Sequence, residues 1–207
     1  MIVTQEVSGL LALDARDQGL RRTCLAFSLC ALGHSASPHP EGLSPEYLYL
    51  NAARSMPNWF PGLGLSLHAA LAASGSVALD RDCPYKPEDP MLPLPPLPAP
   101  LDCYGHQAGE LSTDVGVLSA ELQQGRAVGL GLMLTENFYR PVEGRIKDGG
   151  NVVPDSGHAV VAVALGVEGG QTHFLIRNSW GGGWGTEGKA WISSSYIAQH
   201  TICAFGV

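Results

Sequence analysis

The chain has 207 residues, 45% of them apolar and 15% charged, with a formal net charge of -7. That balance describes a folded chain long enough to bury a core in one domain or two small lobes, and it excludes disorder. No basic run is longer than Arg21-Arg22, which disfavours a phosphate-binding surface and nucleic acid as a partner.

The opening residues, Met-Ile-Val-Thr-Gln-Glu, lack the basic and apolar regions of a signal peptide. The longest apolar runs, such as Ala127 to Leu134, stop far short of a membrane span, so no membrane partner is expected. Cys24, Cys30, Cys83, Cys103 and Cys203 contain no Cys-x-x-Cys pair, and such sparse usage suggests a reducing compartment. The expected location is cytoplasmic, or outside the cell by a route without a signal peptide. A Cys83–Cys103 disulfide stays open at this level.

Residues 1–16 alternate weakly and are expected to pair or pack at the surface. Cys24 to Leu32 is apolar on nearly every face, which predicts a buried helix stopped by Gly33. Ser44-Pro45-Glu46 carries the N-cap hydroxyl, first-turn proline and early acid of a helix start. Another helix is predicted from about Ser66 to Ser74, ending at Gly75. Eight of the fifteen prolines lie between Pro84 and Pro100, where neither helix nor central strand can persist, and this reads as a stiff connection. Ser112 or Thr113 is expected to cap a helix bearing Val115, Leu118 and Leu122 that stops at Gly125. Beyond it, 127–134, 158–167, 172–177 and 189–193 read as strands separated by glycine-rich turns.

Chemistry concentrates at three places. Gln18 stands six residues before Cys24, which opens the first predicted helix. A helix N-terminus favours a thiolate, and a nearby glutamine amide can donate to an oxyanion. His158 follows Gly157 at the mouth of an apolar strand, 134 residues after Cys24. Twenty residues later Asn178 can accept from an imidazole nitrogen and fix the ring, with Trp180 shielding that bond. These are a nucleophile, a base and an orienter.

These segments resemble those of the papain-like cysteine peptidases (peptidase family C1), of the bacterial type without a propeptide. Gln18-Gly19 with Cys24 and Ala26-Phe27-Ser28 is similar to the catalytic-cysteine segment. Gly157-His158-Ala159-Val160 is similar to the histidine segment, and Asn178-Ser179-Trp180-Gly181 through Gly185 to the asparagine segment. Leu43 to Leu48 and Cys83-Pro84-Tyr85 resemble further landmarks. The likeness implies an α+β, two-lobed, single catalytic domain over 1–207. It comprises a helical lobe at about 17–83, the proline-rich connection at about 84–105, and a β-barrel-like antiparallel lobe at about 106–207, with the active site in the cleft between the lobes. It also implies hydrolysis of peptide bonds in peptide or protein substrates through a thioester, with Cys24, His158 and Asn178 as the triad and Gln18 as oxyanion donor. No cofactor is implied.

The departures carry their own expectations. The family usually reads Cys-Gly-Ser-Cys-Trp where this chain has Arg21-Arg22-Thr23-Cys24-Leu25, which removes one end of a family disulfide. Arg22 replaces a glycine that lines the cleft, so it either narrows the site or pairs with an acidic substrate residue. Phe60-Pro61-Gly62-Leu63-Gly64 stands where the family has Cys-x-Gly-Gly, leaving Gly62 and Gly64 as candidate substrate contacts, with Gly157 and Trp180 on the histidine side. With 23 residues ahead of Cys24, no inhibitory propeptide is expected. A catalytically silent binding protein of this fold and an acyl-transferring ligase are the alternatives. The remaining histidines have no metal-ligand spacing, so no metal is expected. Gly183 to Gly188 spells Gly-x-Gly-x-x-Gly, but the residues after it read as a strand, so no nucleotide site is expected.

Overall fold

The computed structural model describes residues 1–7, 9–99 and 102–207. Chain contacts divide it into a sheet unit, residues 1–17 and 110–206, and a helical unit centred on residues 18–109. Part of the predicted proline-rich connection, Pro100 and Leu101, lies outside the described residues.

The helical unit holds α1 (Cys24–Ala36), α2 (Pro45–Ser55) and α3 (Leu67–Ala73), packed on one another. Local chemistry accounts for their starts. Ser44 accepts from the Tyr47 N–H with Pro45 at the first position, and Ser66 accepts from the Ala69 N–H. Helix α1 runs three residues past Gly33. A Cβ at Gly33 would stand 2.0 Å from Cε1 and 2.3 Å from Nδ1 of His106, so the glycine admits a buried imidazole instead of ending the helix. Residues 84–99 contain no helix or strand.

The sheet unit contains seven strands: β1 (Ile2–Glu6), β2 (Gly109–Leu111), β3 (Val128–Thr135), β4 (Val152–Glu168), β5 (Gln171–Arg177), β6 (Lys189–Ser193) and β7 (Thr201–Gly206). Their order is β2-β7-β3-β4-β5-β6, with β1 paired to β4. Helix α4 (Val115–Gln123) packs on β4, and α5 (Ser194–His200) on β3, β5 and β6. The α4 cap is Asp114, which accepts from the Val117 N–H, in place of the expected Ser112 or Thr113; the Ser112 hydroxyl accepts from the Asp114 N–H one step earlier. Strand β4 begins six residues before His158, so the histidine sits within a long strand rather than at its mouth. Helix α5 and strand β7 continue the chain where no element was predicted.

Arg177 ends β5 with a buried guanidinium that donates to the carbonyls of Leu10, Leu13 and Asp14, tying the N-terminal segment to the sheet. All five cysteines are thiols, Cys83 buried and Cys103 exposed. Among the described residues no helix is long and apolar enough to cross a membrane.

Gly33→Ala is expected to lower unfolding stability in urea by about 1–3 kcal/mol through overpacking against His106. This would occur despite the roughly 1 kcal/mol that alanine gains over glycine in a helix. A variant as stable as wild type would remove His106 as the reason for Gly33.

Candidate active site

In the helical unit, Cys24 is the first residue of α1 and is partly exposed. The N-cap, Thr23, is fully buried, and its side chain makes no capping bond; no acidic residue occupies the first turn. The positive end of the helix is thus left to act on the thiol. Gln18 is buried, and its Nε2 donates to the Arg21 carbonyl at 2.6 Å. An amide nitrogen has two hydrogens, and holding one fixes the plane in which the other lies.

Arg21 and Arg22 part company. The Arg21 side chain is 2% exposed, and Nη1 meets Glu46 Oε2 at 2.5 Å, with Glu46 itself 3% exposed. Nη1 also donates to the Lys86 carbonyl, Asp89 Oδ1 lies 3.4 Å from Nε, and the guanidinium lies over the Tyr49 and Tyr85 rings at 4.9 and 5.0 Å. Burial pulls the guanidinium pKa down, but Glu46 together with Tyr85 and Tyr49 outweighs it and the net shift is upward. Arg21 is therefore part of the framework. Arg22 is exposed; a Cβ on Gly64 would lie 3.6 Å from both its Cβ and its carbonyl. Gly62, at φ +86°, lies near Asp89.

In the sheet unit, His158 pairs with Leu132 across β3 and β4, and Asn178 follows the last residue of β5. Strands β4 and β5 run antiparallel, with Val161 opposite Arg177, so the residues just before Val161 and just after Arg177 lie toward the same end of the sheet. His158 Nε2 lies 2.7 Å from Asn178 Oδ1, which also accepts from the Ser179 N–H at 2.8 Å. That second donor identifies the Asn178 atom as oxygen, so Nε2 must carry the hydrogen and Nδ1 is the basic nitrogen of the neutral ring. Among the described residues, Asn178 Nδ2 is left buried without a hydrogen-bond partner.

Aromatic rings enclose this pair. Trp180 lies 4.5 Å from the His158 ring, and Phe138 6.0 Å. Tyr139 stacks on Trp180, and Trp184 Nε1 donates to the Phe138 carbonyl. Phe138 and Tyr139 belong to a 3-10 turn, Glu136–Tyr139, that the sequence reading missed; their aromatic pairing right after an apolar strand was the available signal. Burial pushes the imidazole down to about 4, with the Asn178 bond opposing. Gly157 is exposed on β4. The glycine-rich Gly183 to Gly188 leads into β6, a strand, so its motif has no helix to receive a phosphate. Among the described residues, no three His, Cys, Asp or Glu side chains gather as a metal site.

The family model described as papain family cysteine protease matches residues 99–204, just over half of the chain. The chain belongs to the papain family. It is 29% identical over 193 residues to the oryzain gamma chain of Oryza sativa subsp. japonica, covering 84% of this chain and 49% of that one. It is 26% identical over 191 residues to a cathepsin L-like proteinase of Phaedon cochleariae, covering 86% and 56%. The chain thus spans about half the length of these curated relatives. Among solved structures it is similar to xylellain, a cysteine protease from Xylella fastidiosa, at TM-score 0.74 and 21% identity over 99% of this chain and 90% of that one. Procathepsin L 3 of Tenebrio molitor gives TM-score 0.73 and 19% identity, covering 98% and 68%. The fold is papain-like, of the α+β class.

In a Cys24→Ser variant, which cannot form a thiolate, His158 is expected to titrate near 4 by NMR. The unfolded chain then binds this proton more tightly than the native one, with an ordinary value near 6.5. Stability should fall as pH drops from about 6.5 to about 4, by roughly 3 kcal/mol, and His158→Gln should flatten that slope.

Proposed function

We propose that this chain is a cysteine peptidase that hydrolyses peptide bonds, with Cys24, His158 and Asn178 as catalytic residues and Gln18 as oxyanion donor. The observation that carries it is the His158–Asn178 bond of 2.7 Å, which leaves Nδ1 as the one imidazole nitrogen able to take and return a proton. Family membership and the place of Cys24 at the start of α1 support the same reading.

His158 takes the thiol proton, and the Cys24 thiolate attacks the substrate carbonyl, forming a C–S bond. The oxyanion accepts from the Cys24 backbone N–H and the Gln18 amide. The imidazolium gives its proton to the leaving nitrogen as the C–N bond breaks, leaving a thioester. Water then loses a proton to His158 and displaces the thiolate. Each step balances without a cofactor. Arg22, Gly62, Gly64, Gly157 and Trp180 are the proposed substrate contacts, and the exposed Arg22 guanidinium suits an acidic side chain beside the scissile bond.

The test is iodoacetamide labelling across pH with peptide mapping. Cys24 is expected to react well below the free-thiol value of about 8.5. His158→Ala should slow this reaction about a hundredfold at pH 6 and lower kcat by about 10²–10⁴. Labelling of Cys24 no faster than that of Cys30 or Cys203 would sink the proposal, and a protein that joins added amines but cuts no peptide would make it a ligase. Arg22→Gly should reduce the preference for acidic over neutral peptides by up to about fivefold, the value of an exposed ion pair.

A further inference from the structure

Within the helical unit, the loop from Gln18 to Thr23 is closed by one side chain from 62 positions further along the chain. The Tyr85 hydroxyl donates to the Gln18 backbone carbonyl at 2.8 Å and lies 2.9 Å from Thr23 Oγ1. A phenol has a single hydrogen. With that hydrogen on Gln18, the Thr23 hydroxyl is the donor of the second bond, so Tyr85 joins both ends of the loop through one oxygen. Its ring is fixed in turn, edge-on to Phe27 of α1 at 4.8 Å and under the Arg21 guanidinium at 5.0 Å. The segment carrying Tyr85 is docked beside it, because Arg21 donates to the Lys86 carbonyl and the Lys86 N–H donates to Glu46 Oε2 at 3.4 Å.

We infer that Tyr85 is a positioning residue for the oxyanion donor: its hydroxyl holds the Gln18 backbone against the Cys24 end of the loop, so that the Gln18 amide is oriented before substrate arrives. This rests on the peptidase reading above. The geometry carries it in two steps. Gln18 Nε2 is held by the Arg21 carbonyl inside the loop, so the amide turns with the loop backbone. The loop is held at the Gln18 backbone carbonyl by Tyr85 and at the Thr23 side-chain hydroxyl, directly before Cys24, by the same oxygen. Burial pushes the phenol pKa up, so the hydroxyl keeps its hydrogen through the neutral range. Preorganised donors of this kind act on the transition state, not on substrate binding, so their loss is read in kcat.

The experiment compares two reagents on wild type and Tyr85→Phe. The Cys24 thiolate adds to the carbonyl carbon of a peptidyl aldehyde, the C=O π bond opening to a tetrahedral oxyanion while His158 keeps the thiol proton. Iodoacetamide alkylates the same sulfur, releases iodide and forms no oxyanion. Tyr85→Phe is expected to weaken aldehyde binding and lower kcat about tenfold, with KM and the Cys24 alkylation rate within about twofold. Unchanged aldehyde affinity overturns the role, and so does an equal loss in both reagents, which would mark a general disturbance of the helix start. Thr23→Val removes only one of the two bonds and should give a smaller effect in the same direction; if Tyr85→Phe does not fold, an unaltered aldehyde affinity in Thr23→Val overturns the proposal. A wild type that binds no aldehyde overturns the peptidase reading itself, which separates the two failures.

Discussion

The helical unit depends on a charge that has been taken out of water. Removing a guanidinium and a carboxylate from solvent costs several kcal/mol for each ion, and their attraction offsets this only with good geometry and with the remaining donors satisfied. Arg21 meets most of those terms through Glu46, the Lys86 carbonyl and two tyrosine faces, while among the described residues its Nε, 3.4 Å from Asp89 Oδ1, makes no hydrogen bond. Such a pair adds little net stability over apolar residues of the same volume, but removing one partner strands the other at a cost of about 3–5 kcal/mol. What it supplies is direction. It joins the loop before α1, the side of α2 and the segment after Cys83 in one arrangement, and two groups that hold Gln18, the Arg21 carbonyl and the Tyr85 hydroxyl, belong to the first and last of those pieces.

The sheet unit solves a different problem. In the proposed reaction His158 must be fixed in orientation and still change its charge. Fixing comes from a neutral acceptor, the Asn178 oxygen, itself held by the Ser179 N–H. A carboxylate there would hold the ring more strongly but would also favour the imidazolium in the resting protein, whereas burial beside Phe138 and Trp180 favours the neutral base. One buried amide hydrogen-bond donor, Asn178 Nδ2, is the cost of this arrangement, on the order of 1–3 kcal/mol.

Legibility in the sequence followed the range of the interactions. Ser44-Pro45-Glu46 and Ser66 start helices through bonds to residues three positions away, and both starts could be read. The same local rule put the α4 cap at Ser112 or Thr113 and passed over Asp114, the adjacent cap former that is used. Gly33 read as a stop because glycine ends helices; its actual reason, the His106 ring, lies 73 positions on. The early part of β4 was hidden by Pro154, by Asp155 at φ +54° and by Gly157, which together look like a turn. The Ser193 cap of α5 was a local signal that went unused. Cys24, His158 and Asn178 stood out because each sits in a distinctive short context. Arg21 did not, since nothing in Arg-Arg tells which guanidinium finds a carboxylate 25 residues later.

That last ambiguity bears on how the loop works. In the family that this chain resembles, a cysteine at the position of Arg21 is one end of a disulfide. A disulfide stabilises mainly by restricting the unfolded chain, by about 2–4 kcal/mol, and fixes one point of the backbone. The Arg21 guanidinium has no effect of that kind on the unfolded chain. It acts only once α2 and the Tyr85 segment are folded, and it fixes a planar fork with five donors. Exchanging the first device for the second trades tolerance of partial unfolding for dependence on the whole unit. The order around Gln18 and Cys24 should therefore be lost together with α2 and the Lys86 segment, not ahead of them, because no covalent link holds it separately.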